Sequence, residues 1–134
     1  MYLFDTDTIS NVLKKTPSRY LLSRLKKIPK ELQYTTAINI SEIYYGAHKS
    51  ASTEKILTAF NDKVFPNINI LPFDIESGKI YGRIKAGLEK KGLCKSEPDL
   101  RIASVAIQHN LILITGNILH FNNIPDLKVE NWIR

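Results

Sequence analysis

Apolar residues along this chain fall into two kinds of run: short dense clusters, and longer sets spaced three and four positions apart. The clusters at Tyr2–Phe4, at Gln33–Ala37, in "INILPF" (68–73), in "LILIT" (111–115) and in "KVENW" (128–132) predict strands. Helices are predicted over Thr8–Lys15 and Ser18–Lys27, with "TPS" (16–18) as the break between them. Ile40, Ile43, Tyr44 and Ala47 keep helical spacing, with Gly46 inside that helix at some cost, and another helix is predicted over Thr53–Lys63. Ile80, Tyr81, Ile84 and Leu88 mark a long amphipathic helix that ends at "KKG", where Gly92 is a natural stop, and a further helix opens after "SEPD" (96–99). Strands and helices alternate without a repeat, a low-complexity tract or a linker. The expectation is one α/β domain over residues 1–134 with a mostly parallel sheet.

In such a sheet, right-handed crossovers bring every strand's C-terminal end and every following helix's N-terminus to one edge, where open α/β sheets bind ligands. Asp5 stands at a strand end, Glu42 and Asp99 are expected in the first turns of helices, and Thr115 and Asn117 follow another strand. All are expected to meet at that edge. Asp5 and Asp7 face the same side if the chain is still extended between them, and two such anions repel unless a cation lies near. Each acid also has a structural account. A carboxylate in a helix's first turn is stabilised by roughly 0.3–1 kcal/mol through the macrodipole, Glu42 lies roughly opposite the apolar stripe of its helix, and Ser96-Glu97-Pro98-Asp99 reads as a capping box with proline in the first turn. Those accounts serve the acids one at a time and leave their convergence unexplained.

Composition narrows the partners. The formal charge of +6 comes from 19 Lys and Arg against 13 Asp and Glu, and between Lys14 and Lys30 the chain carries seven basic residues and no acid. That stretch suits a polyanion such as RNA, the alternative being a solvated helix face. No apolar run approaches the roughly 20 residues of a membrane span, and the N-terminus lacks a basic-then-apolar signal, so a cytoplasmic protein is expected. Cys94 is the single cysteine, which excludes an intrachain disulfide and a thiolate metal cluster. His48, His109 and His120 lack metal-ligand spacing and are expected at the surface or partly buried, outside any site. Trp132 and the Tyr44–Tyr45 pair are expected in the core or a subunit interface rather than stacked on bases.

Two families share features with these residues. Asp5, Asp7 and Ile9 occupy the DxDx-Thr/Val frame of the haloacid-dehalogenase phosphatases, and "LILITGN" (111–117) looks like that family's second motif. Only 17 residues follow Asn117, too few for the lysine and acidic motifs such an enzyme needs. The second resemblance spans nearly the whole chain. "LFDTDTIS", "ISEIYYGA", "LPFDIESGKIYGRIKAGLEKKG", "PDLRIASVAI" and "LITGN" with Phe121 follow, in order, the motifs of PIN domains, most closely the VapC-type toxins of toxin–antitoxin pairs. That resemblance implies a three-layer α/β sandwich with helices on both faces of the sheet. It further implies a magnesium-dependent endoribonuclease, with manganese as a substitute, that cleaves cellular RNA, blocks translation, forms a homodimer and is neutralised by a small antitoxin. Asp5, Glu42 and Asp99 match the family's three metal-binding acids, Asn117 stands where relatives carry Asn or Asp and is expected to act through water, and Thr115 and Thr6 offer hydroxyls that either orient ligands or close turns. A non-catalytic RNA-binding module on the same fold is the remaining alternative, against which stands the retention of mutually repelling acids. Asp7 replaces a usual Asn and is expected to cap the following helix. "ILH" (118–120) and "CKSE" (94–97) also depart from the family's usual residues.

Overall fold

Leu3 and Phe4 are neighbours in an extended segment, so their side chains leave opposite faces, and both are buried. That pair divides the core in two. The computed structural model describes residues 1–134, in the order β1 (Tyr2–Phe4), α1 (Thr6–Val12), α2 (Arg19–Lys26), β2 (Gln33–Thr36), α3 (Ala37–Lys49), α4 (Thr53–Lys63), β3 (Asn69–Leu71), α5 (Ile75–Lys90), α6 (Glu97–Gln108), β4 (Ile112–Ile114), α7 (Ile118–Phe121) and β5 (Lys128–Glu130). Leu3 and Leu113 pack with Ile84 and Leu88 of α5 and with Leu100, Ile102 and Val105 of α6. Phe4 and Ile114 pack on the other face with Ile9, Leu21, Ile43 and Phe60, from α1 to α4. The result is the expected sandwich of helices on both faces of a sheet.

The sheet has five strands in the order β3-β2-β1-β4-β5, and every pairing is parallel. From β1 the chain builds outward through β2 to β3, then returns to the other side of β1 for β4 and β5. β1 and β4 therefore flank the topological switch point, and a crevice opens beyond their C-terminal ends.

Helix boundaries follow local chemistry. Asp74 and Ser77 form a reciprocal capping box that starts α5 at Ile75, earlier than its apolar stripe indicates. The helix ends where Gly92 adopts φ +71° and Leu93 N–H turns back to Leu88 C=O at 2.9 Å. The third predicted strand shrinks to Asn69–Leu71 because Pro72 has no N–H to continue the ladder. The first helix begins at Thr6 rather than Thr8, capped by Asp5. The four-residue α7 was not foreseen.

The C-terminal segment is held by an aromatic cluster. Trp132 is 1% exposed, lies 5.0 Å from Tyr2 and 5.6 Å from Phe4 between ring centroids, and carries the Arg24 guanidinium 4.1 Å above its ring. This places Trp132 in the core as expected, and it commits Arg24 to packing. Trp132→Ala is expected to cost ~3–5 kcal/mol of stability, seen as a lower urea midpoint at unchanged slope.

Candidate active site

Asp5 leaves β1 with extended backbone (φ −72°, ψ 164°), so its carboxylate can cap α1 by accepting from Thr6 N–H at 2.9 Å. The same oxygen accepts from the Asn39 amide at 3.1 Å, and the other from the Thr115 hydroxyl at 2.8 Å. One carboxylate thus ties together the ends of β1, β2 and β4. Asn39 is aimed by its own cap: Thr36 donates to its Oδ1 at 2.6 Å, which leaves Nδ2 to reach Asp5 and, at 3.0 Å, the Thr6 hydroxyl. Asp5 is only 7% exposed. Burial pushes its pKa up to about 6; the bonds from Thr115 and Thr6 oppose this, while the nearby Asp7 and Glu42 charges add to it.

Glu42 accepts from the Thr6 hydroxyl at 2.7 Å. It lies in the second turn of α3, not the first as expected, so the macrodipole gives it no stabilisation. Asp99 is the third residue of α6, and Ser96 accepts from its N–H at 3.3 Å. The reciprocal half of the expected capping box is not made. The Asp99 carboxylate instead faces His120, with Oδ2 3.5 Å from Nδ1.

Asp7 is not the helix cap. Its Oδ2 accepts from Gly116 N–H at 2.9 Å and from the Asn117 amide at 3.1 Å, latching the β4–α7 turn to α1. A Cβ on Gly116 would sit 2.7 Å from that oxygen, so the latch needs glycine there. Thr115, fully buried, donates to Asp5 and accepts from Asn117 N–H at 3.1 Å.

Asp5, Thr6, Asp7, Glu42, Ser96, Asp99, Asn117 and His120 line one open cleft of about 370 Å³ with no apolar residue in its wall. The sequence-predicted residues Asp5, Thr6, Glu42, Asp99 and Asn117 therefore meet in it, and Thr115 supports it from beneath. No lysine or arginine pairs with any of its carboxylates. Carboxylate, hydroxyl and amide oxygens with no lysine or arginine countercharge suit a hard divalent cation, and the one imidazole, His120, stands beside Asp99. The acids share the cleft without closing into a compact ligand cluster.

The model of the PIN domain matches residues 2–125. Ribonuclease VapC2 of Haemophilus influenzae is 32% identical over 132 residues, 98% of each chain. The chain belongs to the VapC family of PIN-domain ribonucleases. The tRNA(fMet)-specific endonuclease VapC of Salmonella typhimurium is 28% identical, over 98% of this chain and 97% of its own. The crystal structure of VapBC2 from Rickettsia felis, bound to a DNA fragment from their promoter, superposes with a TM-score of 0.88 at 31% identity and 98% coverage of both chains. VapC membership removes the phosphatase alternative, whose second aspartate would have to handle a proton; here Asp7 is spent on Gly116 and Asn117.

Two residues that build the site, one behind the cleft and one in its wall, escaped the sequence reading. Asn39 was signalled by Thr36 three positions earlier, a capping-box spacing with Asn in place of Glu or Gln. His120, expected outside any site, lines the cleft because α7 folds its wall; the spacing of the histidines carries no trace of this.

Because its folded pKa of about 6 lies above the ordinary 3.8, Asp5 binds its proton more tightly in the folded than in the unfolded chain. Its contribution is therefore full below about pH 4 and is lost as pH rises through 6, a swing on the order of 3 kcal/mol. In metal-free protein, Asp5→Asn is expected to flatten the stability profile between pH 4 and 7 and to be more stable than the native chain at pH 7. Urea titrations in EDTA at the two pH values measure this, and parallel profiles for the two proteins would assign the swing elsewhere.

Proposed function

We propose that this protein is a magnesium-dependent endoribonuclease toxin that cleaves cellular RNA, thereby inhibits translation, and is restrained by a cognate antitoxin. The observation that carries the reading is the convergence of Asp5, Glu42 and Asp99 on one all-polar cleft, without a lysine or arginine partner, at the switch point of the sheet. Asp5, Glu42 and Asp99 would hold the ion, with manganese as a substitute. When bound, such an ion supplies charge stabilisation at the scissile phosphate and activates water. The protein's own contribution is positioning. Thr115 and Asn39 orient the Asp5 carboxylate, Thr6 orients Glu42, and Asn117, held by Asp7, presents an exposed amide to water or to substrate at the mouth.

The name of the Salmonella relative makes transfer RNA the first substrate to try. The VapBC complex from Rickettsia felis supports a small antitoxin as partner. An antitoxin segment reaching this cleft gains most from an arginine or lysine, since a cation can take the ion's place among the carboxylates. We take the free toxin to be a cytoplasmic homodimer, a state that light scattering reads directly.

Asp5→Asn, Glu42→Gln and Asp99→Asn are each expected to lower RNA cleavage by more than about 100-fold, beyond the loss usual for residues that only support metal ligands. Circular dichroism should show the fold retained, and magnesium should restore activity abolished by EDTA. Full cleavage in EDTA, or by Asp5→Asn, would overturn the reading.

The basic stretch supplies a second test. Lys14, Lys15, Arg19, Lys26, Lys27 and Lys30 are exposed, whereas Arg24 is held against Trp132 and Tyr20. If the exposed ones meet phosphates, RNA affinity falls with salt, and each lost contact flattens the log–log slope by roughly 0.7. Fluorescence anisotropy across a salt series measures it. A slope unchanged after neutralising several would assign the stretch to solvent or to the antitoxin.

A further inference from the structure

The helix α7 is four residues long and has no side-chain cap of its own, yet it is clamped at both ends. Before it, Asp7 holds Gly116 and Asn117. At its far end Lys95, from the turn between α5 and α6, donates to Leu119 C=O at 3.1 Å and to the Asn122 side chain at 2.6 Å. Inside, Phe121 is buried in the core. What this mount presents outward is apolar, with Leu119 77% exposed and Ile118 41% exposed.

Depressions adjoin the catalytic cleft on both sides of this segment. One is lined by Gly116, Asn117, Ile118, Leu119, His120 and Asn131, the other by Cys94, Lys95, Ser96, Asp99, Leu119 and His120. His120 borders both and the cleft itself. Its Nδ1 faces Asp99, which leaves Nε2 without a partner in the protein. An exposed leucine on a firmly anchored turn, beside a polar ring atom at the edge of an acidic cleft, suits a strand that carries alternate phosphates and flat bases.

We propose that α7 is the rim that sets the register of RNA in the cleft: with Nδ1–H turned to Asp99, His120 accepts through Nε2 from a ribose 2′-hydroxyl flanking the scissile position, and Leu119 packs against the adjacent base. The inference rests on the ribonuclease reading and adds to it a specificity element outside the acids. His120 is a substrate-contacting residue here. Continuity with the cleft favours RNA over a protein occupant of the same surface.

Binding separates this from catalysis. In full-length Asp5→Asn protein with EDTA present, the affinity for a fluorescein-labelled transfer RNA is expected to fall about fivefold with His120→Ala, the size of one hydrogen bond between neutral groups. Leu119→Ser is expected to lose about as much through lost apolar contact. His120→Gln, which keeps an acceptor, should recover part of the loss. In the otherwise native enzyme the same variants should raise KM far more than they lower kcat and should redistribute cleavage positions on a long RNA. Unchanged affinity for both variants overturns the rim whatever the nuclease assay shows, and so does a fall in kcat alone, which would mean that His120 acts through Asp99. Unchanged RNA affinity with a weakened antitoxin complex also overturns it and assigns the surface to the antitoxin. A native enzyme that cleaves no RNA yet binds it in a His120-dependent manner defeats the ribonuclease reading and leaves the rim supported.

Discussion

Everything at the active edge depends on keeping one carboxylate, Asp5, charged in a place that disfavours charge. Its three donors come from the starts of α1 and α3 and from the end of β4, so the bonds that hold it also lock the ends of the three central strands together. Removing a carboxylate from water is costly, and hydrogen bonds offset only part of that cost. The remainder appears as a raised proton affinity, with Asp7 and Glu42 adding to it. A fold selected for stability alone would place an asparagine or an apolar residue there. The strain is intelligible if the missing counter-charge arrives from outside the chain.

The distribution of charge has the same logic. The molecule is basic overall, while its cleft is acidic and holds no lysine or arginine in contact with the acids. A polyanion is attracted at long range and repelled at the point of reaction. On the proposed reading a bound cation reconciles the two, and nucleic acid and ion belong to one electrostatic design.

Much of this was legible in the sequence. The alternation of short apolar clusters with helical spacings determined the α/β class, and the parallel topology then brought Asp5, Glu42, Asp99 and Asn117 together without any contact being known. Local chemistry within a few residues was harder to read. Whether Asp5 or Asp7 caps α1 depends on where β1 stops, and both have the right spacing to a helix. Asp7's true partners, Gly116 and Asn117, are 109 and 110 residues away. Asn39 was masked because a capping residue and a site residue have the same appearance; only its second set of bonds separates them. His120 was invisible for a different reason: α7 is too short to carry periodicity, and its position is imposed by Asp7 and Lys95.

That last arrangement separates mounting from display. The groups that fix α7 lie in α1 and in the turn before α6, and they grip backbone and flanking residues rather than the side chains of Ile118, Leu119 or His120. Ile118 and Leu119 can vary without disturbing core packing or the acids, whereas His120 is also tied to Asp99. On the rim proposal, target choice can change through these side chains on an unaltered chassis.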